Sequence, residues 1–313
     1  MRGWWQDLTD LVLPADCAGC GAPRTALCPR CRATLDGGVA RRARPVPEPA
    51  GLPVVHAVAP YAAEVRALLL AHKERGALAL AGALGVALAR AVRAGLAESA
   101  EDAGDLGLGP GASGLGPGAG AGAGPAGPTG WEPLLLVPVP SARWAVRARG
   151  HDPVRRMALA AARELRRTGT PARVAAVLRQ RRAVADQAGL DAPGRLANLA
   201  GALEVTASGA PLLGDGRRVV LVDDLMTTGA SLAEAARALR ESVVSGVSGA
   251  NGGTAVYRAI TREGREERRI GSERERTESV HGAPEKAVSN ARARRPRAAV
   301  IAAPADSLEI IRN

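Results

Sequence analysis

The chain lacks phenylalanine altogether, and Trp and Tyr together make up only 2% of its 313 residues. Lysine is almost as scarce: Lys73 and Lys286 are the only two, so nearly all of the positive charge behind the net +11 comes from arginine. The shortage of aromatic rings leaves little material for a platform that stacks single-stranded nucleic acid. The arginine excess favours anionic ligands or nucleic acid. A codon bias toward Arg, Ala and Gly explains the same excess equally well.

Signals for secretion and membrane insertion are also missing from the sequence pattern. Asp7 and Asp10 stand where a secretory signal would need an apolar core. The longest apolar run, Leu78 to Ala89, is shorter than the roughly 20 residues of a membrane-spanning helix. We therefore expect a cytoplasmic protein without a membrane span. Its length suits one large domain or two modest ones, and its oligomeric state is left open.

All four cysteines lie within fifteen residues, in two C-x-x-C pairs. Two thiolates from one tight turn can reach the same tetrahedral metal ion, and the seven residues between the pairs return the chain for the second pair. In a reducing cytoplasm a metal is favoured over two disulfides. The sequence therefore predicts a structural Zn²⁺ site, with no open position for catalysis, formed by Cys17, Cys20, Cys28 and Cys31.

The most informative stretch, Val219 to Leu239, combines a strand, two acids, a turn and a helix. Val219 to Val222 is uniformly apolar, as in a parallel strand that is buried on both faces. Asp223 and Asp224 follow where such a strand would end, at the edge where open α/β sheets bind ligands. We therefore predict a ligand site at this point of the chain.

The turn after these acids has the composition of an anion site. A turn that enters a helix presents free backbone N–H groups and the positive end of the helix dipole. Carboxylates do not hold phosphate, so the two acids would bind vicinal hydroxyls or a metal carried by the ligand. The combination points to a sugar phosphate, although an acidic turn and a capped helix of any α/β protein would look similar. The turn residues are Thr227, Thr228, Gly229, Ala230 and Ser231.

Apolar runs and helical patterns alternate along the rest of the chain, which indicates an α/β fold with a mainly parallel sheet. The predicted strands, besides Val219 to Val222, are Val54 to Ala59, Leu134 to Val137, Val174 to Leu178 and Ala298 to Ala302, with Thr254 to Ile260 as a rival for the last place. The predicted helices are those within Tyr61 to Lys73, Ala77 to Leu96 and Pro153 to Arg167, besides the one that ends at Leu239.

Composition also divides the chain into segments. A knuckle at 1–35 and a Gly-, Arg- and Pro-rich linker at 36–53 precede the main domain at 54–241. That domain contains a flexible Gly/Ala/Pro insertion at 103–130 and a polar, mobile loop at 181–203. The mixed Arg and Glu segment at 242–297 is predicted to be disordered, and the final strand lies within 298–313.

Four apolar residues, two acids, two spacers and T-T-G-A-S resemble the phosphoribosyl pyrophosphate (PRPP) signature of type I phosphoribosyltransferases. This resemblance implies that Asp223 and Asp224 contact the ribose hydroxyls and that 227–231 wraps the 5-phosphate. The basic loop with Arg143, Arg147, Arg149 and Gly150 is expected at the same sheet edge. Arg147 or Arg149, with Mg²⁺, would then meet the pyrophosphate, and a solvated basic turn is the alternative.

The order of the blocks is similar to that of the ComF family, in which a four-cysteine knuckle precedes a phosphoribosyltransferase-like domain. The resemblance implies PRPP binding, transfer or hydrolysis of the phosphoribosyl group, and a role in DNA uptake and competence. The alternative is a non-catalytic PRPP sensor or scaffold that binds single-stranded DNA or competence proteins. His151 and Asp152 depart from the Phe and Asn that are usual there, as do Val184 and Leu203 from Thr and Phe. The matching residues are Pro138, Pro140, Arg147, Arg149, Gly150, Gln187, Leu190, Arg195, Asn198 and Gly201.

Overall fold

The computed structural model describes residues 16–105, 133–184, 189–214, 217–250 and 296–309. Most of the segments at 103–130 and 242–297 therefore lie outside the described residues, as do Gln187 and the rival strand at 254–260. The strands are β1 (Arg41–Ala43), β2 (Val55–Pro60), β3 (Leu134–Pro138), β4 (Ala172–Val174), β5 (Leu178–Gln180), β6 (Leu203–Val205), β7 (Val219–Leu225) and β8 (Arg297–Ala303). The α-helices are α1 (Pro29–Asp36), α2 (Ala63–Glu74), α3 (Ala81–Asp105), α4 (Arg143–Arg149), α5 (Pro153–Arg167), α6 (Ala192–Leu199) and α7 (Ala230–Ala250).

Among the described residues, the main sheet has six strands in the order β1-β2-β8-β7-β3-β4. Its neighbours pair in parallel except for β1, which runs antiparallel to β2. Strands β5 and β6 form a separate antiparallel pair. The predicted α/β class with a mainly parallel sheet is confirmed, and the carboxyl ends of β3, β7 and β8 meet at one edge.

Helices cover both faces of the main sheet. On one face, α2, α3 and α5 pack on side chains such as Leu136 and Val222. On the other face, α7 packs on side chains such as Leu135 and Leu221. Because both faces are buried, the central strands are apolar along most of their length, as parallel strands usually are, and β7 becomes acidic only near its carboxyl end. Helix α5 begins at Pro153, where the Asp152 side chain accepts a hydrogen bond from the Arg155 amide.

Several elements differ from their predicted bounds. The apolar run predicted as one strand at 174–178 is instead divided between β4 and β5, which pair with different partners. The linker at 36–53 contains the edge strand β1, and the polar loop at 181–203 contains α6. The basic loop after β3 is the short helix α4, and α7 continues past Glu241 to Ala250. For β1, β4 and β5, the pairing partner decided the element.

Helix α3 is longer than the sequence indicated. The stretch Leu78–Ala100, in which a short 3₁₀ turn leads into α3, is long and apolar enough to cross a membrane by length and composition. Its apolar window is 61% buried inside the protein. The prediction from the shorter apolar run therefore underestimated this segment, whose apolar character is used for packing against β2, β8 and α5.

The N-terminal cysteine segment packs against the main domain. Cys31 and Leu35 of α1 belong to the same core cluster as α2 and α3. Arg90 of α3 donates to the backbone carbonyls of Leu35 and Gly38. These contacts join the cysteine segment to the body of the protein.

Candidate functional site at the carboxyl edge of the sheet

The two predicted acids lie inside β7, near its carboxyl end, and both are buried. Asp223 is 9% exposed and Asp224 is 6% exposed. Successive side chains of a strand point to opposite faces. Asp224 therefore shares the face of Val222 toward α2, whereas Asp223 shares the face of Leu221 toward α7. The two acids meet the sheet edge from different sides.

Asp224 is paired with a lysine that the sequence interpretation did not single out. Lys73, near the end of α2, donates from Nζ to Oδ2 of Asp224 at 2.9 Å. The negative charge of Asp224 raises the pKa of Lys73, and Asp223 adds to this effect. The lysine side chain is 35% exposed, so it is only partly covered by the surrounding protein.

Asp223 has a different electrostatic environment from its neighbour. Burial, followed by the charge of Asp224, raises the pKa of Asp223 well above its ordinary value. The Oδ1 atom of Asp223 accepts a hydrogen bond from the Asp224 amide at 2.8 Å. Two adjacent carboxyls therefore differ, one compensated by Lys73 and the other favouring its protonated form.

The turn after β7 is open on the side of its hydroxyl groups. Thr227 is exposed, while Thr228 and Ser231 are half-buried. Within the described residues, no hydrogen bond uses the amides of Thr227, Thr228 or Gly229. The predicted turn thus lies at the start of α7 with amide donors of the kind that an anion site uses, and the predicted phosphate contact at 227–231 stays a prediction.

Gly229 has both a conformational and a packing reason to be glycine. Its φ is +75°, a left-handed value that favours glycine. An added Cβ would lie 2.9 Å from Cδ1 of Leu52 and 3.3 Å from Cγ of Pro49. The turn at 49–52 therefore packs against the turn at 227–231, which we call the signature turn.

Arg149 lies beside the Lys73 pair. Its Nε and Nη2 atoms donate to the two carboxylate oxygens of Glu74 at 2.9 and 3.0 Å. Its third nitrogen, Nη1, is buried and has no hydrogen-bond partner within the described part of the chain. The positive charge of Arg149 also acts on Lys73, where it opposes the effect of Asp224 on the lysine pKa. Two cations with unused donor capacity therefore lie at the same edge as the two acids.

Arg147, predicted to act with Arg149, is directed elsewhere. It lines an open cavity of about 290 Å³ together with Arg143 of the same helix and Gln180 of β5. Residues two positions apart in a helix do not share a face. The structure thus separates the two arginines, since Arg149 contacts Glu74 and Arg147 lies in the cavity between α4 and β5.

The four predicted metal ligands are brought together. The Sγ atoms of Cys17, Cys20, Cys28 and Cys31 all lie within 4.8 Å of one another. A tetrahedral site with Zn–S bonds near 2.3 Å needs sulfur atoms about 3.8 Å apart, so the cluster has the size of a zinc site. Amides donate to two of the sulfurs, from Cys28 to Cys17 at 3.3 Å and from Cys31 to Cys28 at 3.4 Å.

The pKa values of two of the thiols are shifted in opposite directions. Burial opposes ionisation of Cys17, but amide hydrogen bonds from Cys28, Cys20 and Gly19 outweigh it and lower the pKa to about 6. Burial and the other three cysteines raise the pKa of Cys31. A divalent cation is the group that would stabilise all four thiolates together.

Lys73 and Glu74 are the site residues that the sequence interpretation missed. They lie 151 and 150 positions before Asp224, so no local motif joins them to it. One signal was present in the composition: Lys73 is one of only two lysines in a chain that otherwise uses arginine. Arg195 and Asn198 of the predicted family pattern lie on α6, which packs against α7.

The fold and the site define an α/β protein with a polar cluster at the carboxyl edge of its sheet and a four-cysteine cluster at its N-terminal side. No protein-family model matches the chain, and no curated protein matches it in sequence.

Proposed function

We propose that the protein binds PRPP with Mg²⁺ at the carboxyl edge of β7, as the resemblance to type I phosphoribosyltransferases and the ComF family suggests. The observation that carries this proposal is the junction of Asp223 and Asp224 with a turn whose amides at Thr227, Thr228 and Gly229 are free. A sugar phosphate with a free diol supplies partners for both parts. Its hydroxyls would donate to the carboxylates, and its 5-phosphate would accept from the turn.

The Lys73–Asp224 pair suggests how the ligand enters. PRPP offers hydroxyl donors to Asp224 and phosphate oxygens to Lys73, so it can replace each partner of the ion pair at the same time. Opening the pair without such a ligand would leave the buried Asp224 without its cation. The free protein therefore keeps the two side chains together, and an anionic polyol separates them.

The pyrophosphate group would lie toward Lys73 and Arg149. The buried Nη1 of Arg149 is an unused donor, and Lys73 has an exposed side. Bound Mg²⁺ would neutralise charge on the leaving pyrophosphate. The chain's own contribution to transfer or hydrolysis would be orientation of the ribose by the acids and stabilisation of the departing charge by these cations. Because Arg147 lies in the cavity with Arg143, it is the weaker candidate for this role.

Isothermal titration with PRPP and Mg²⁺ tests the binding proposal. The double variant D223N/D224N removes both carboxyl groups that would contact the ribose hydroxyls, so we expect it to bind about 100-fold more weakly. Glu164→Gln, which removes a carboxylate of α5 that pairs with Arg167, is the matched control and should bind as the wild type does. Equal affinity of the double variant and the wild type would show that the acids are not the ligand site.

Turnover is a separate question from binding. Incubation with PRPP, Mg²⁺ and a panel of bases, or with water as the only acceptor, should release pyrophosphate above the blank if the protein is a phosphoribosyltransferase or hydrolase. Binding of PRPP without release would instead favour a sensor or scaffold. D223N/D224N serves as the inactive reference in this assay.

A second candidate, binding of single-stranded DNA, is favoured by the surface of α4. Trp144 is 61% exposed, and Arg143 and Arg147 beside it are exposed and have no recorded partner among the described residues. An exposed aromatic ring on a helix that also carries exposed cations offers a stacking surface for a base. A salt-dependent shift of single-stranded DNA that is lost in W144A would support this candidate. The same shift in W144A would remove it.

We propose that the metal of the four-cysteine cluster is zinc and that it is structural. Four thiolates close a tetrahedral site and leave no position for a substrate. The cysteines belong to the core cluster that contains buried residues of α2 and α3. Metal analysis should find about one zinc ion per chain, a ratio that follows from the single four-thiolate set.

A further inference from the structure

Two histidines join the end of α2 to the turn between α4 and α5. The rings of His72 and His151 have centroids 5.9 Å apart and an interplanar angle of 60°. His72 directly precedes Lys73, and His151 follows Arg149 by two residues. Each histidine therefore belongs to a segment that carries one of the two cations of the proposed site.

His151 bridges the two segments through their backbones. Its Nε2 lies 3.2 Å from the carbonyl oxygen of His72, and its Nδ1 lies 3.1 Å from that of Arg149. A carbonyl oxygen can only accept, so each of these bonds needs an N–H on the imidazole. A neutral ring supplies one N–H, whereas the protonated ring supplies two. The bridge to the residue before Lys73 thus depends on a side-chain hydrogen-bond donor at position 151.

Other contacts link the same segments. Arg149 pairs with Glu74, and Nε2 of His72 lies 3.4 Å from the carbonyl oxygen of Pro153. Burial lowers the pKa of His72, and the charges of His151 and Arg156 add to this effect, so His72 is neutral near pH 7. A neutral His72 can satisfy only one of its two neighbouring carbonyls, at Pro153 and Ala77. His151, half-buried at the turn, contacts two other carbonyl oxygens, those of His72 and Arg149, and its ring donates to one of them when neutral and to both when protonated.

We infer that His151 is a positioning residue for the anion-binding end of the proposed PRPP site. Its ring lies between the backbone carbonyls of His72 and Arg149 and holds the two segments together, and it thereby sets where Lys73 meets Asp224 and where Arg149 presents its unused nitrogen. This role deepens the proposed function and rests on it for its biological meaning. The Phe that is usual at this position in the ComF family would fill the same space, yet it would donate no hydrogen bond.

Nuclear magnetic resonance of ¹⁵N-lysine-labelled protein tests this inference without any ligand. The sequence has only two lysines, so the Lys73 ammonium signal is readily assigned, with Lys286 as an internal reference. Loss of the bridge in His151→Phe should loosen the Lys73 pair, which will shift its signal and make its protons exchange faster with water. His151→Gln keeps an N–H donor and should restore the wild-type signal. Leu159→Ala, a change at an exposed residue of α5, is the control.

Titration of the same proteins with PRPP and Mg²⁺ gives the second readout. His151→Phe should bind about 2- to 12-fold more weakly, the range expected for one net hydrogen bond, and His151→Gln should recover most of the loss. An unchanged Lys73 signal in a folded His151→Phe protein would overturn the inference whatever PRPP does. If His151→Phe does not fold, failure of His151→Gln to keep the Lys73 signal would overturn it equally.

The two proposals fail in different ways. If the Lys73 signal responds to His151 as expected but no protein binds PRPP, the positioning contact stands and the proposed ligand is wrong. Suppose instead that the wild type binds PRPP, and that neither substitution at His151 changes the Lys73 signal or the affinity for PRPP. The proposed ligand is then retained, and His151 has no positioning role.

Discussion

Lys73 and Asp224 are 151 positions apart in the chain, and their side-chain atoms lie 2.9 Å apart. At the scale of single residues, the main feature of the site is that two adjacent carboxyl groups, Asp223 and Asp224, have different electrostatic surroundings. Asp224 has a cation, whereas Asp223 has burial and a like charge beside it. The consequence is that the two acids should respond in opposite ways to the same chemical change.

Asp223→Asn should stabilise the folded protein at neutral pH, by about 0.5–2 kcal/mol, as is typical when a strained binding site is relieved. The folded pKa of Asp223 is raised, so its contribution to stability is full below the unfolded pKa and is lost as pH rises through the folded value. The gain from Asn should therefore be present near pH 8 and shrink toward about pH 4. Denaturant unfolding at several pH values measures it.

Asp224→Asn should have the opposite sign, because it removes the carboxylate that accepts from Lys73. The loss should be modest, about 0.5–1.5 kcal/mol, because the lysine side chain is 35% exposed and water can replace part of the interaction. The same unfolding experiment checks it. Stabilisation by both substitutions would contradict this account of the pair.

Gly229→Ala should damage the signature turn without touching a charged group. The φ of +75° and the 2.9 Å approach of Leu52 both oppose a Cβ at this position. We expect a loss of about 1–3 kcal/mol in unfolding free energy, typical of strain at such a backbone conformation. Gly76→Ala, at a φ of +66° with open space around it, separates the backbone cost from the contact with Leu52.

At the scale of elements, the packing of α3 on α5 depends on a close approach at Gly85. A Cβ there would lie 2.3 Å from the Cβ of Ala160 and 2.9 Å from the backbone of Ala161. Gly85→Ala should therefore destabilise the protein by about 1–3 kcal/mol despite the better helix propensity of alanine. Gly82→Ala in the same helix has open space and should be neutral or stabilising by up to about 1 kcal/mol. Thermal unfolding of the two variants compares them directly.

Elements with their own strong local signals were predicted well. Helix α5 has the predicted bounds, Pro153–Arg167, since an aspartate cap, a proline at its start and an apolar face all agree. The sequence predicted a basic loop where the structure has α4. This helix has no apolar face that a sequence pattern could reveal, because only Ala145 of its seven residues is buried. The run at 174–178 was predicted as one strand, but its start belongs to β4, which pairs with β3, and its end belongs to β5, which pairs with β6. A short apolar sequence does not reveal which strand each residue pairs with.

At the scale of the whole molecule, the cysteine cluster contributes to the common core. Cys17, Cys28 and Cys31 belong to the cluster of buried residues that includes α2 and α3. Removal of the metal should therefore loosen the fit of α1 on these helices. A loss near 3 kcal/mol would lower Tm by about 6–12 °C for a domain of this size.

Calorimetry before and after chelation measures this change in Tm. A variant with all four cysteines replaced by serine is the control, since it should be insensitive to the chelator. A wild-type protein that contains no metal and keeps its Tm with a chelator would contradict the structural role of the cluster.

The sequence by itself determined the class of the fold, the four-cysteine cluster and the strand, acids and turn from Val219 onward, because each depends on neighbours in the chain. Apolar runs, capping residues and C-x-x-C spacing act over a few positions, so their structural effect can be predicted from neighbouring residues in the sequence. Only the tertiary structure decided that Lys73 pairs with Asp224 and that His151 bridges α2 and the turn after α4. It also decided that Arg149 contacts Glu74 while Arg147 lines the cavity beside β5. Those contacts arise when parallel strands bring the ends of distant elements to one edge of the sheet, and no local pattern encodes that meeting.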